Sequence, residues 1–188
     1  MNYYLIAKFV HIVGALGMFV VLGVEWLSLW NLRHAASGRQ AREWLRVTRN
    51  IQRLGGVSML ALLVSGFYMM AVARIGASWL IVSFASLILT GLFAGIATGR
   101  PMRNIQASLE ANPGEISPSL SGLLRQPLLW IVMQIRVGAL LGVVFLMTAK
   151  PDLLGSLLTM GIAVTLGFAL ALLSLRSQQA IHPEPEPQ

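Results

Sequence analysis

The chain has 188 residues, of which 56% are hydrophobic and 11% charged, with a net charge of +7 and no cysteine. A soluble domain carries about 25% charged residues, so the composition excludes an ordinary water-soluble globule, and the long apolar blocks exclude a disordered chain. Without cysteine there is no disulfide framework and no thiolate metal or redox site. In a membrane chain the positive surplus reads as topology rather than as a nucleic-acid footprint.

The first apolar block runs from about Tyr4 to Trp30, broken only by Lys8, His11 and Glu25. It exceeds the core of a signal peptide and lacks a basic leader, so it is expected to be a retained spanning helix. A polar segment follows, in which Arg39, Arg42, Arg46, Arg49 and Arg53 recur at helical spacing. This pattern predicts a short basic helix lying on anionic headgroups.

Two further blocks, about 54–73 and 79–98, are separated by only a few residues and must form a helical hairpin. Gly91, Gly95 and Gly99 lie four apart on the second of them, a spacing that lets a neighbouring helix approach closely. A loop from Gly99 to Gln126 contains three prolines. The fourth block, about 127–149, carries Gln134, Arg136 and a second close-packing pair, Gly138 and Gly142. The fifth covers about 153–175. The expected organisation is all-α: a polytopic bundle of five transmembrane helices within residues 1–176, then a disordered tail over 177–188 with Pro-Glu repetition.

Basic residues in the loops set the orientation. The long loops and the tail hold ten, and the short loops hold only Arg74 and Lys150. The N-terminus is therefore expected outside and the C-terminus in the cytoplasm. Tyr3, Tyr4, Tyr68 and Trp79 would mark one interface, and Trp26, Trp30 and Trp130 the other.

Ionisable groups inside a span are costly, at ~2.5–3.5 kcal/mol on insertion scales, and so mark candidate sites. Glu25 and Arg136 both fall roughly 8–14 Å below the cytoplasmic surface by helical rise, a depth that suits a buried ion pair between the first and fourth helices. His11 lies two turns in from the outer side. A neutral imidazole is an axial ligand for haem iron, and a bundle interior can house the porphyrin. Gly14, Ala15 and Gly17 offer small residues where a flat macrocycle could approach, and Met69, Met70 and Met147 are candidates for a second ligand. The bland alternative is a histidine hydrogen-bonded between helices.

The stretch Lys8-Phe9-Val10-His11-Ile12-Val13-Gly14-Ala15, with His34 after it, resembles the opening pattern of a group of small membrane proteins that includes the HemJ-type protoporphyrinogen oxidases, the CopD-like proteins and a branch of uncharacterised predicted integral membrane proteins. The run from Arg136 to Lys150-Pro151 is similar to a late helix of the same group. This resemblance implies a helical bundle, often oligomeric, with His11 as a candidate haem b ligand; a homo-oligomer in a bacterial inner membrane is the expected setting. For the HemJ-type branch it implies oxidation of protoporphyrinogen IX.

Three functions compete on these grounds. One is a haem-b protein in redox chemistry or haem metabolism, with Arg136 neutralising a propionate. The second is a small transporter working through Glu25 and Arg136. The third is a non-catalytic scaffold subunit.

Overall fold

The computed structural model describes residues 3–73, 77–111, 118–124 and 126–181. Every regular element among them is an α-helix: α1 (Tyr3–Arg33), α2 (Gly38–Ala73), α3 (Ser78–Ala111), α4 (Pro118–Leu124), α5 (Pro127–Ala149) and α6 (Leu153–Ile181). Among the described residues, five helices are long and apolar enough to cross a membrane, by length and composition. Apolar blocks become helices here because a bilayer leaves no water for backbone N–H and C=O groups, which a helix satisfies within one segment.

Several boundaries differ from the sequence expectation. The basic segment Arg39–Arg53 is not a separate element but the first half of α2, which runs unbroken for 36 residues. At 1.5 Å per residue α2 is roughly 54 Å long, against a bilayer core of about 30 Å. The Gly55-Gly56 pair does not break it, because Gly55 is packed: a Cβ there would lie 3.1 Å from Val21 Cγ1. The proline-containing loop is largely helical as well. α3 continues through Pro101 to Ala111, and α4 follows. α6 extends to Ile181, so residues 177–181, expected in the tail, are helical; residues 182–188, with the rest of that tail, lie outside the described residues.

The chain divides into two compact units. The first holds Met1–Ala77 and Pro101–Arg125, the second Ser78–Arg100 and Gln126–Gln188.

In the first unit α1 and α2 form an antiparallel hairpin. Its seam is made by small residues. A Cβ on Gly14 would sit 3.1 Å from the Ser58 carbonyl oxygen and 3.2 Å from the Leu62 nitrogen, and Gly17 faces the Ser58 side chain. Toward the turn, Leu32, Ala41, Ile105, Leu109, Leu120 and Leu124 are buried. α4 packs on α1, and the Arg42 guanidinium donates to the Leu109 carbonyl at 2.9 Å. That bond satisfies one of the last carbonyls of α3, which a helix end leaves without partners.

In the second unit α5 and α6 form another hairpin, with Gly138 against the Ala163 backbone and Gly167 against the Gln134 carbonyl. The expected close packing at Gly138 and Gly142 is thus realised. Val82 of α3 joins Ala139, Val143, Leu146 and Met160 in the core. The turn is set by Lys150, which takes a left-handed conformation (φ 51°, ψ 52°) and donates its N–H to Leu146 O. Asp152 then caps α6, its carboxylate accepting from the Gly155 N–H at 2.8 Å. At the far end the Trp130 indole N–H donates to Ser174 Oγ at 2.6 Å. The glycine spacing on α3 has a different outcome: a Cβ at Gly95 or Gly99 would meet open space among the described residues.

Candidate functional site

His11 is half-buried on the α2-facing side of α1, where its Nδ1 lies 3.2 Å from Ser65 Oγ. The Ser65 hydroxyl has one proton, and it donates that proton to the Ala61 carbonyl one turn back. Toward His11 the serine oxygen can therefore only accept. That arrangement suits the tautomer in which Nδ1 carries the imidazole proton and Nε2 keeps its lone pair. An imidazole held at one nitrogen by a protein oxygen, with the other nitrogen bare, is the arrangement found in histidine metal ligands.

The surroundings of His11 correct one expectation. Gly14 and Gly17 do not form an open cradle for a macrocycle, because α2 fills the space above them. The hairpin needs that close approach to pack at all. Of the candidate second ligands, Met69 and Met70 are half-buried on α2, in the unit that holds His11. Met147 packs against the core of the other unit.

The other histidines are elsewhere. His34 is exposed at the end of α1, its Nδ1 2.8 Å from the Trp30 carbonyl and its ring centroid 4.7 Å from Trp30. Trp26 stacks on Trp30 with centroids 6.1 Å apart, giving the amphipathic ladder expected at an interface. His182 lies outside the described residues. Among the described residues no group of three His, Cys, Asp or Glu side chains is placed to hold a metal ion.

Glu25 is 4% exposed, and one turn further along the same face Ser28 is fully buried. Ser28 Oγ has no hydrogen-bond partner among the described residues. Thr48 on α2 is also buried and donates to the Trp44 carbonyl at 3.0 Å. Arg136 is half-buried on α5. Glu25 belongs to the first unit and Arg136 to the second, so the ion pair inferred from depth would join residues of different units. Arg39, Arg42, Arg46, Arg49 and Arg53 are all exposed on α2, opposite the face that buries Ala41 and Thr48.

Residues 5–151 match the family described as "Predicted integral membrane protein (DUF2269)". The chain belongs to this family. The match takes in His11, Glu25 and Arg136 and ends just before α6. Membrane residence is what the family description carries; it names neither the HemJ-type nor the CopD-like proteins. No curated protein and no solved structure matches the chain.

His11 stands out in the sequence by residue type and setting, but Ser65, its partner on α2, does not. The signal was faint, a serine in an apolar block, and only the α1–α2 register gives it meaning. Ser28 was missed for the same reason.

Proposed function

We propose that this membrane protein binds haem b through His11 and serves in redox chemistry or haem metabolism. The observation that supports the reading is the Ser65 contact at Nδ1, which orients the imidazole and would leave Nε2 to bind iron. Haem, when bound, would supply one-electron chemistry. The chain's own part is to present a neutral, oriented imidazole. The filled Gly14 and Gly17 face argues that a porphyrin would reach His11 from elsewhere on the ring's exposed flank. An oxidase activity of the protoporphyrinogen type is the further step that the family resemblance suggests.

We also propose the orientation with the N-terminus outside, and contact of the α2 arginines with anionic headgroups. A second functional reading, transport of a proton or small anion, is favoured by the burial of Glu25 beside Ser28. An absorption spectrum separates the two. Protein purified from haem-replete cells should show a Soret band and sharpened visible bands on reduction. His11→Ala should remove them, Ser65→Ala should shift and weaken them, and His34→Ala should leave them unchanged. Wild-type protein that stays colourless after haem addition refutes the haem reading and leaves the Glu25 region as the place to look.

A further inference from the structure

α2 runs unbroken for 36 residues, and its apolar half, residues 54–73, is about 30 Å long, enough by itself to cross a bilayer core. The arginine half therefore continues out of the membrane along the same axis. Arg39 lies fourteen residues before Arg53, about 21 Å further along the helix. Even at a tilt of about 40°, the steep end of what spanning helices adopt, it stands about 16 Å above Arg53. The headgroup layer is only roughly 5–8 Å deep on each side. With residues 54–73 in the core, Arg49 and Arg53 fall among the headgroups, Arg46 at their edge, and Arg39 and Arg42 beyond them.

The fold holds this extension in place. At this end of the first unit α1 buries Leu32, α2 buries Ala41, α3 buries Ile105 and Leu109, and α4 buries Leu120 and Leu124. The Arg42 guanidinium ties α2 to the Leu109 carbonyl at 2.9 Å. The arginines lie opposite the face that buries Ala41 and Thr48, and all five are exposed.

The charge on this face is one-sided. α2 carries five arginines and a single acid, Glu43. Arg39, Arg42, Arg46, Arg49 and Arg53 follow one another three or four residues apart, so each neighbours a like charge along the helix, an arrangement that repels itself. Among the described residues no acidic side chain pairs with Arg39 or Arg46. Lipid phosphate can relieve the repulsion at Arg49 and Arg53 but not at the outer end. A nucleic acid would bring phosphate against Glu43, which is exposed between Arg42 and Arg46. Val47, 40% exposed, adds apolar surface beside the ridge, and arginine next to apolar surface is the composition of a protein interface.

We propose that the outer part of the α2 ridge, Arg39, Arg42 and Arg46, docks an acidic segment of a soluble partner protein. Carboxylates three or four residues apart on a partner helix match the arginine spacing, and each guanidinium can grip one in a charge-assisted hydrogen bond. The proposal narrows the headgroup contact put forward above to Arg49 and Arg53, and it rests on residues 54–73 crossing the bilayer. It is independent of haem at His11 and of the side of the membrane on which α2 begins.

The test is fluorescence anisotropy of a fluorescein-labelled deca-glutamate peptide with the full-length protein in phosphatidylcholine nanodiscs. Saturable, salt-sensitive binding is expected. The double substitution Arg39→Gln/Arg46→Gln should weaken it about fivefold by removing two exposed pairs, and Arg53→Gln should leave it unchanged. The substituted side chains are exposed, so both variants should keep the wild-type unfolding temperature. Equal affinity in wild type and the double variant would overturn the proposal, as would tighter binding of a duplex oligonucleotide than of the peptide. The chain has no cysteine, so a bimane label on Arg39→Cys or Arg53→Cys reports one position. A quencher attached to lipid headgroups should dim the label at position 53 and spare it at position 39. Equal quenching at both would lay the ridge on the membrane and overturn the proposal. Quenching at neither, with peptide binding intact, would remove the headgroup contact and sustain the docking site.

Discussion

At Gly167 a single added methyl group should be costly. It faces α5, and a Cβ there would lie 2.6 Å from the Gln134 carbonyl oxygen and 3.2 Å from Ile135 Cα. Both are backbone atoms, so no side chain can swing aside. To restore ordinary contact near 3.4 Å, α5 and α6 must part by about 0.8 Å. A gap of that size forfeits a quarter to a half of each dispersion contact along the seam, and the separated region includes Gly138 and Gly142. Overpacking of this kind costs ~1–3 kcal/mol. Gly161 on the same helix is the control, because its Cβ would meet nothing within 4 Å. There alanine removes only the backbone entropy penalty of glycine, worth ~1 kcal/mol in a helix. Gly167→Ala should therefore lower, and Gly161→Ala hold or raise, the unfolding temperature in one detergent. Equal shifts in the two variants would refute the close-packed seam as the element that holds this hairpin.

Three further outcomes are expected. Arg42→Gln should cost ~1 kcal/mol by releasing the Leu109 carbonyl, seen as faster amide exchange in residues 101–111; unchanged exchange would show that the bond holds nothing. From the depth argument, Glu25→Gln and Arg136→Gln should each destabilise by ~3–5 kcal/mol and the double substitution by less than their sum. Simple additivity would show that the two charges do not meet. Accessibility tags at Met1 and between Arg74 and Ser78 should report outside and tags near Arg42 inside; an extracellular Arg42 would reverse the orientation and, with it, every depth assigned from the loops.

The number and rough position of the spans were legible because a bilayer imposes a length and a polarity on each crossing segment, and those are properties of contiguous sequence. Residues 127–149 were bounded at both ends this way, with Pro127 opening α5 and Lys150-Pro151 closing it. The glycine pair Gly138 and Gly142 was legible for the same reason, as a face at fixed spacing. Spacing alone could not say which glycines meet a helix. Gly14 and Gly17 resemble room for a ligand until α2 is seen to fill it, whereas Gly95 and Gly99 resemble a packing face and meet open space among the described residues. The helicity of residues 101–111 and 118–124 was hidden because prolines and polar residues read as a loop, and the burial of Ile105, Leu109, Leu120 and Leu124 becomes visible only in the fold. His11 was found from its residue type, but its hydrogen-bond partner Ser65 lies 54 residues away in the chain. Hydrophobic length is written along the sequence; which small residue touches which backbone, and which oxygen faces which nitrogen, depends on the register between helices and exists only once they pack.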